Sequence, residues 1–315
     1  MLNRRHLRIK VLQTLYAYFQ TNEDDYVKTE QAMIATVDKI YELYLLLLLS
    51  FGELKSVAEN RIEDAKAKIR PSEEEKNPNR KFVDNKVIGI LENSKELRSA
   101  SESRKVNWVG DVNREMFKKM HASIRESEIY FEHMNNDVEG YEEDLAFAIA
   151  IFKEEIANSP LMLNFFEEKN IQWIDDIDLV CSMVIKTLKS FSEDGKNELL
   201  PLYKDPVDEK QFISTLLRKS IMRNDENMKL IDELTDNWEL DRIAKMDLIL
   251  MNMAITELLE FQNIPKKVTL NEYIEISKFY STPKSNTFIN GILDKAIDRL
   301  EKEKKIKKVG RGLLN

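Results

Sequence analysis

The 315-residue chain predicts an all-α fold, and three observations predict it. Apolar residues recur at helical spacing and almost nowhere with the period of two that a strand requires. Glycine and proline number only 8 and 7, while Leu, Ile, Lys and Glu dominate. The breakers gather between periodic stretches, as connectors should. The length allows one large domain or two modest ones.

Residues 3–20 predict an amphipathic helix with Leu7, Val11, Thr14, Leu15 and Tyr18 on one stripe. Tyr16 points to the opposite side, near Ile9 and Leu12, and that second strip needs cover from the chain or from a partner. Residues 28–69 read as a long helix. Its most apolar run, LYLLLLL at 43–49, falls well short of the roughly 18 to 20 residues that span a bilayer, so it predicts a buried helix and no membrane segment. A charged connector, PSEEEKNPNR at 71–80, and a weakly patterned polar region at 93–107 come next. Helical periodicity returns from Glu142, and 192–206, with Gly195, Pro201 and Pro206, reads as a loop. The stretch WELDRIAKMDLILMNMAITELLEF predicts one helix or two. Pro265 breaks the chain before a helix near Thr269, and the last helix opens at Thr282-Pro283, an N-cap followed by proline.

The chain also compares with itself at an offset of 65 residues. Phe147 meets Phe212, Ile156 meets Ile221, Phe165-Phe166 meets Leu230-Ile231, and Trp173 meets Trp238 without a gap. A duplicated helical unit over 142–191 and chance similarity among helices both stand open as readings.

Composition narrows the function classes. A formal net charge of −8 excludes a globally basic nucleic-acid binder, although a local patch remains compatible with it. The single cysteine, Cys181, excludes a disulfide framework and a thiolate zinc site, and predicts a buried core thiol. No apolar segment succeeds MLNRRHLRIK as a signal peptide would require, so a cytoplasmic location is expected. None of the glycines forms a phosphate loop, and His6, His121 and His133 are scattered. The acidic runs SEEEK and WIDDID read as solvated faces. Since no nucleophile, base and orienting group come together, no enzyme activity, metal or cofactor is expected.

Two features concentrate chemistry. The first ten residues hold Arg4, Arg5, Arg8 and Lys10 and no acid. This is either a solubilising terminus or a phosphate-contacting arm, whose guanidinium forks match phosphate oxygens. On the last helix, Ile289, Ile292, Leu293, Ala296, Ile297 and Leu300 form a core stripe at 100° per residue. Gly291, Lys284, Lys295 and Lys302 face outward with Phe288 at their edge. Ordinary surface residues, or a platform of cations, stacking ring and bare backbone for nucleic acid, account for that face equally.

FINGILDK at 288–295, preceded by NIPKKVTLNEYIEISK at 263–278, resembles the C-terminal signature of the NusB family. RRHLRIKVLQTLY resembles that family's opening, and NWELDRIAKMDLILMNMAITELL the stretch between. The resemblance covers about 1–25 and 207–300. It implies a NusB-like helical bundle in which residues 26–206 are an expanded helical insertion and 301–315 a basic tail. It further implies an RNA-binding transcription antitermination factor. Such a factor pairs with ribosomal protein NusE on boxA-like RNA in elongation complexes with RNA polymerase, notably on ribosomal RNA operons. Carried over by position, Arg4, Arg5 and Arg8 contact RNA phosphates, Lys267, Tyr280 and Phe288 line the RNA surface, and Tyr16 and Asp247 face the protein partner, while Lys284 joins the expected RNA-binding residues from the outward face of the last helix. The chain departs from the family pattern at Lys284, where an acid is common, at Asn252 in place of arginine, and at Tyr273 and Ser277 in place of alanines. Two other readings compete: a NusB-like scaffold without RNA binding, and an accessory module of an RNA-modification system. The second lacks the cofactor domain that RNA methyltransferases require.

Overall fold

The computed structural model describes residues 1–21, 25–235 and 242–313, and among them there are helices and no strand. In chain order these are α1 (Arg4–Thr21), α2 (Tyr26–Lys66), the single turn α3 (Glu73–Lys76), α4 (Lys86–Asn93), α5 (Lys95–Arg104), α6 (Asp111–Glu126) and α7 (Glu128–Asn135). Next come α8 (Tyr141–Ile151), continued by a π-turn (Phe152–Ile156), α9 (Pro160–Lys169), a 3₁₀ turn (Ile171–Asp176) and α10 (Ile177–Ser190). The series ends with α11 (Pro206–Met222), α12 (Asn224–Leu234), α13 (Lys245–Glu260), α14 (Lys266–Tyr280), α15 (Ser285–Lys302) and a 3₁₀ turn (Gly310–Leu313). No described helix is long and apolar enough to cross a membrane.

The chain divides into two compact units. One holds residues 2–37 and 203–315, so chain segments far apart in sequence close a single core. There α1 packs on α11, α13 and α14, and α15 on α12, α13 and α14. At its centre lies α13, buried on every face from Ile249 to Leu258, as an all-round apolar helix must be. Leu12, on the side of α1 opposite the main stripe, is fully buried as well, so the chain itself covers part of that second strip.

The other unit spans 38–202. Its polar stretch 93–107 contains α5, which Ser94 caps through the backbone N–H of Leu97. Trp108 rests edge-on against Phe117 of α6 at 5.0 Å and donates to the Leu46 carbonyl at 3.0 Å. The offset of 65 residues reappears in burial. Asp144, Phe147, Ala148, Ile151 and Phe152 are buried, and so are Glu209, Phe212, Ile213, Leu216 and Leu217. Met162 and Phe166 on α9 match buried Asn227 and Ile231 on α12. Trp238, the counterpart of Trp173, lies outside the described residues.

The final helix starts at Ser285 rather than at Thr282-Pro283. The Thr282 carbonyl accepts from the Ser285 N–H at 2.9 Å, so Thr282 and Pro283 form the turn before it. Cys181 is half-buried, and burial, then Asp178, push its thiol up to about 11, which keeps it protonated at neutral pH.

Candidate nucleic-acid interface

The arginines of α1 point three ways. Arg4 is partly exposed, pairs with Asp208 of α11, and lies 4.1 Å over the Phe212 ring. Arg5 makes a fork to Glu272 of α14, with Nε at 3.0 Å and Nη2 at 2.8 Å. That hydrogen bond raises its pKa against the opposing effect of burial. Nη1 is left out of the fork.

Arg8 corrects the sequence expectation of a phosphate contact. It is 1% exposed. Its fork closes on Glu257 of α13, with two bonds of 2.7 Å. Burial opposes its charge, but the Glu257 carboxylate outweighs burial and holds the guanidinium above its ordinary range. Glu257 also accepts from Thr269 Oγ1 at 2.9 Å and Tyr273 Oη at 3.1 Å. Burial, and then Glu257, raise the Tyr273 phenol well above its usual value. Arg8 therefore ties α1 to α13 and α14 and positions its neighbours. The first ten residues contain no acid, but the fold brings three to them from other helices.

Asn252 and Tyr273, two of the departures from the family pattern, lie inside the core. Asn252 accepts from Asn227 Nδ2 at 2.7 Å and donates to the Ser220 carbonyl at 3.0 Å, joining α11, α12 and α13. Tyr273 supplies a neutral donor to a buried carboxylate, which would otherwise be costly.

Along α14 and into α15 the expected surface residues are accessible. Lys267 and Lys284 are exposed, and Tyr280 and Phe288 are half-buried. Gln13 Nε2 of α1 donates to Tyr280 Oη at 3.4 Å, which places the end of α14 beside the first helix. Gly291 is exposed, and a Cβ built on it would meet nothing within 4 Å. Close packing therefore does not require the glycine. Asn290 bonds Asp294 on its own helix at 3.3 Å rather than reaching a neighbouring element. Lys295, counted with the outward lysines, donates to the Leu234 carbonyl at the end of α12 at 3.2 Å.

The two residues assigned to the protein partner separate. Tyr16 is 39% exposed and lines a groove of about 200 Å³ with Phe19, Met228, Lys245 and Leu248. Asp247 does not face outward. It is 5% exposed and accepts from Ser281 and, at 2.7 Å, from Ser285, which fixes the turn into α15. Acceptance from two hydroxyls is what allows a carboxylate to be buried there.

A model of the NusB family matches residues 172–298. The transcription antitermination protein NusB of Salinibacter ruber is 40% identical over 138 residues, which are 42% of this chain and 86% of that protein. The protein of the same name from Natranaerobius thermophilus is 34% identical over 132 residues, 38% of this chain and 92% of the relative. That of Chloroherpeton thalassium is 40% identical over 109 residues, 35% of this chain and 52% of the relative. No solved structure matches the chain. With a relative at 40% identity matched over 86% of its length, the helical bundle has one assignment: the chain belongs to the NusB family.

Proposed function

We propose that the chain is a non-enzymatic antitermination factor that binds boxA-like RNA together with ribosomal protein NusE, within elongating RNA polymerase complexes on ribosomal RNA operons. This would place it in the cytoplasm. One observation carries the RNA half of the reading. Lys267 and Lys284 stand exposed on α14 and at the entry to α15, with the accessible rings of Tyr280 and Phe288 and the side-chain-free surface of Gly291. Cations for phosphate, rings for bases and open backbone are what single-stranded RNA needs. Arg4 adds a partly exposed guanidinium from α1. For the NusE half, the groove beside Tyr16 offers an accessible aromatic rim.

The scaffold reading draws on a different fact, the engagement of Arg5 and Arg8 with Glu272 and Glu257. A titration with boxA and scrambled RNA, with and without NusE, separates the two. Tighter binding to boxA that weakens with Lys284→Glu and Phe288→Ala is the expected result. Equal affinity for both RNAs in both conditions would leave the scaffold.

A further inference from the structure

The family match ends at residue 298, and the C-terminal segment beyond α15 is built into the fold rather than frayed. Lys304, at φ 55°, turns the chain out of α15, and the Lys305 N–H returns to the Leu300 carbonyl at 2.9 Å. The tail then lies on the loop between α13 and α14. Lys308 Nζ donates to the Phe261 carbonyl at 2.8 Å, and the Val309 N–H to the Gln262 carbonyl at 3.0 Å. Gly310 turns the chain again at φ 53°. Gly312 sits so close to that loop that a Cβ would stand 2.0 Å from the Gln262 carbonyl oxygen, so only glycine fits.

Between the two glycines, Arg311 is held at a cavity of about 610 Å³ that Arg4, Arg5 and Arg8 also line. Ile264, Pro265 and Val268 form an apolar wall, and Glu272 is the one acid in the lining. The other three arginines are engaged by Asp208, Glu272 and Glu257. Arg311 is exposed and has no ion pair among the described residues. With three of the four guanidinium groups matched by carboxylates, the Arg311 charge is the one left over to attract an anion, and the volume exceeds that of a lone phosphate.

We propose that this cavity seats a phosphate and its sugar from the bound RNA chain, with Arg311 as the free ligand. The docked tail is then a third RNA-binding element beside α1 and the α14–α15 surface. The inference rests on the RNA-binding function proposed for the chain and extends it to residues beyond the family match. Phosphate is the favoured anion because the Arg311 guanidinium fork suits its oxygens. Lys267, next to the lining residue Val268, offers the chain a neighbouring cation.

The test is fluorescence anisotropy with labelled boxA RNA across a salt series, on the full chain and on Arg311→Ala and Gly312→Ala. Arg311→Ala is expected to weaken binding about 3- to 10-fold at moderate salt. It should also make the log–log salt slope shallower by about 0.7, the loss of one single-strand phosphate contact. Gly312→Ala keeps the charge but undocks the tail, and should weaken binding to a similar degree. Wild-type affinity and slope for Arg311→Ala overturns the proposal. So does wild-type affinity for Gly312→Ala beside a weakened Arg311→Ala, because the arginine would then act from a loose tail. A thermal stabilisation of the wild type by inorganic pyrophosphate that vanishes in Arg311→Ala, without any change in RNA affinity, would reassign the cavity to free polyphosphate. No RNA binding by the wild type, alone or with NusE, removes the RNA reading and this inference together.

Discussion

At the residue scale, Arg8 and Gly291 exchange the roles that a plain reading of their types suggests. The cation is internal, and the residue without a side chain is part of the surface. Removing the Arg8 guanidinium leaves Glu257 fully buried with only the Thr269 and Tyr273 hydroxyls as donors. Loss of one partner of a buried pair costs about 3–5 kcal/mol. Arg8→Ala should therefore lower stability by that order in urea unfolding, and adding Glu257→Gln should restore part of it. A loss below about 1 kcal/mol would mean that the pair does not anchor α1. Gly291→Ala has the opposite expectation. With nothing within 4 Å of the new methyl, only helix propensity acts, and stability should rise by about 1 kcal/mol. If the bare face meets RNA, affinity falls in the same variant. A more stable protein with unchanged affinity would leave the glycine without a function at that surface.

At the scale of elements, helix positions were largely legible because periodicity and breakers are local signals. Residues 3–20 and 28–69 anticipate α1 and α2 closely, and Pro206 and Pro265 mark the starts of α11 and α14. Partners of charged side chains were not legible. Arg8 and Glu257 stand 249 residues apart, and no periodicity within α1 announces which helix will oppose it. The offset was visible in the sequence, and buried positions recur at the same offset on α8 and α11. The role of α6 was likewise hidden: His121 read as a scattered histidine, yet it is 3% exposed and 5.8 Å from Phe82. Burial pushes its pKa down to about 4, from an ordinary 6.5. Between those values the unfolded chain holds more protons than the folded one, so stability is lost as pH falls through that window. The loss should approach about 3 kcal/mol, since each unit is worth 1.36 kcal/mol. Burial lowers the His133 pKa too, against the pull of Glu143, and adds to the loss with the same sign. Urea unfolding followed through tryptophan fluorescence between pH 7 and pH 4 checks this, with His121→Phe expected to flatten the curve. An identical pH dependence in that variant would place the acid sensitivity elsewhere.

For the whole molecule, the distribution of charge decides whether a chain of net charge −8 can hold RNA at all. Residues 38–202 carry 33 Asp and Glu against 23 Lys and Arg. The remainder carries 23 Asp and Glu against 25 Lys and Arg. The acidic excess thus belongs to the unit of residues 38–202, of which the family model matches only the part from residue 172, and the unit bearing α1 and α11–α15 is close to balance. On that nearly neutral unit, affinity has to come from a few placed cations rather than from a general positive field. Arg4, Lys267, Lys284 and Arg311 are accessible, and on the proposed RNA-binding function they supply it. Four contacts at about 0.7 each give a log–log salt slope near −3 for single-stranded RNA. Reversing Lys284 to Glu should remove at least one contact from the slope. Reversing Lys119, exposed in the acidic unit, should leave both affinity and slope unchanged within error. A slope shallower than about −1 would show that phosphates are not the ligand of this surface. A Lys119→Glu effect as large as that of Lys284→Glu would move the RNA path onto the unit of residues 38–202.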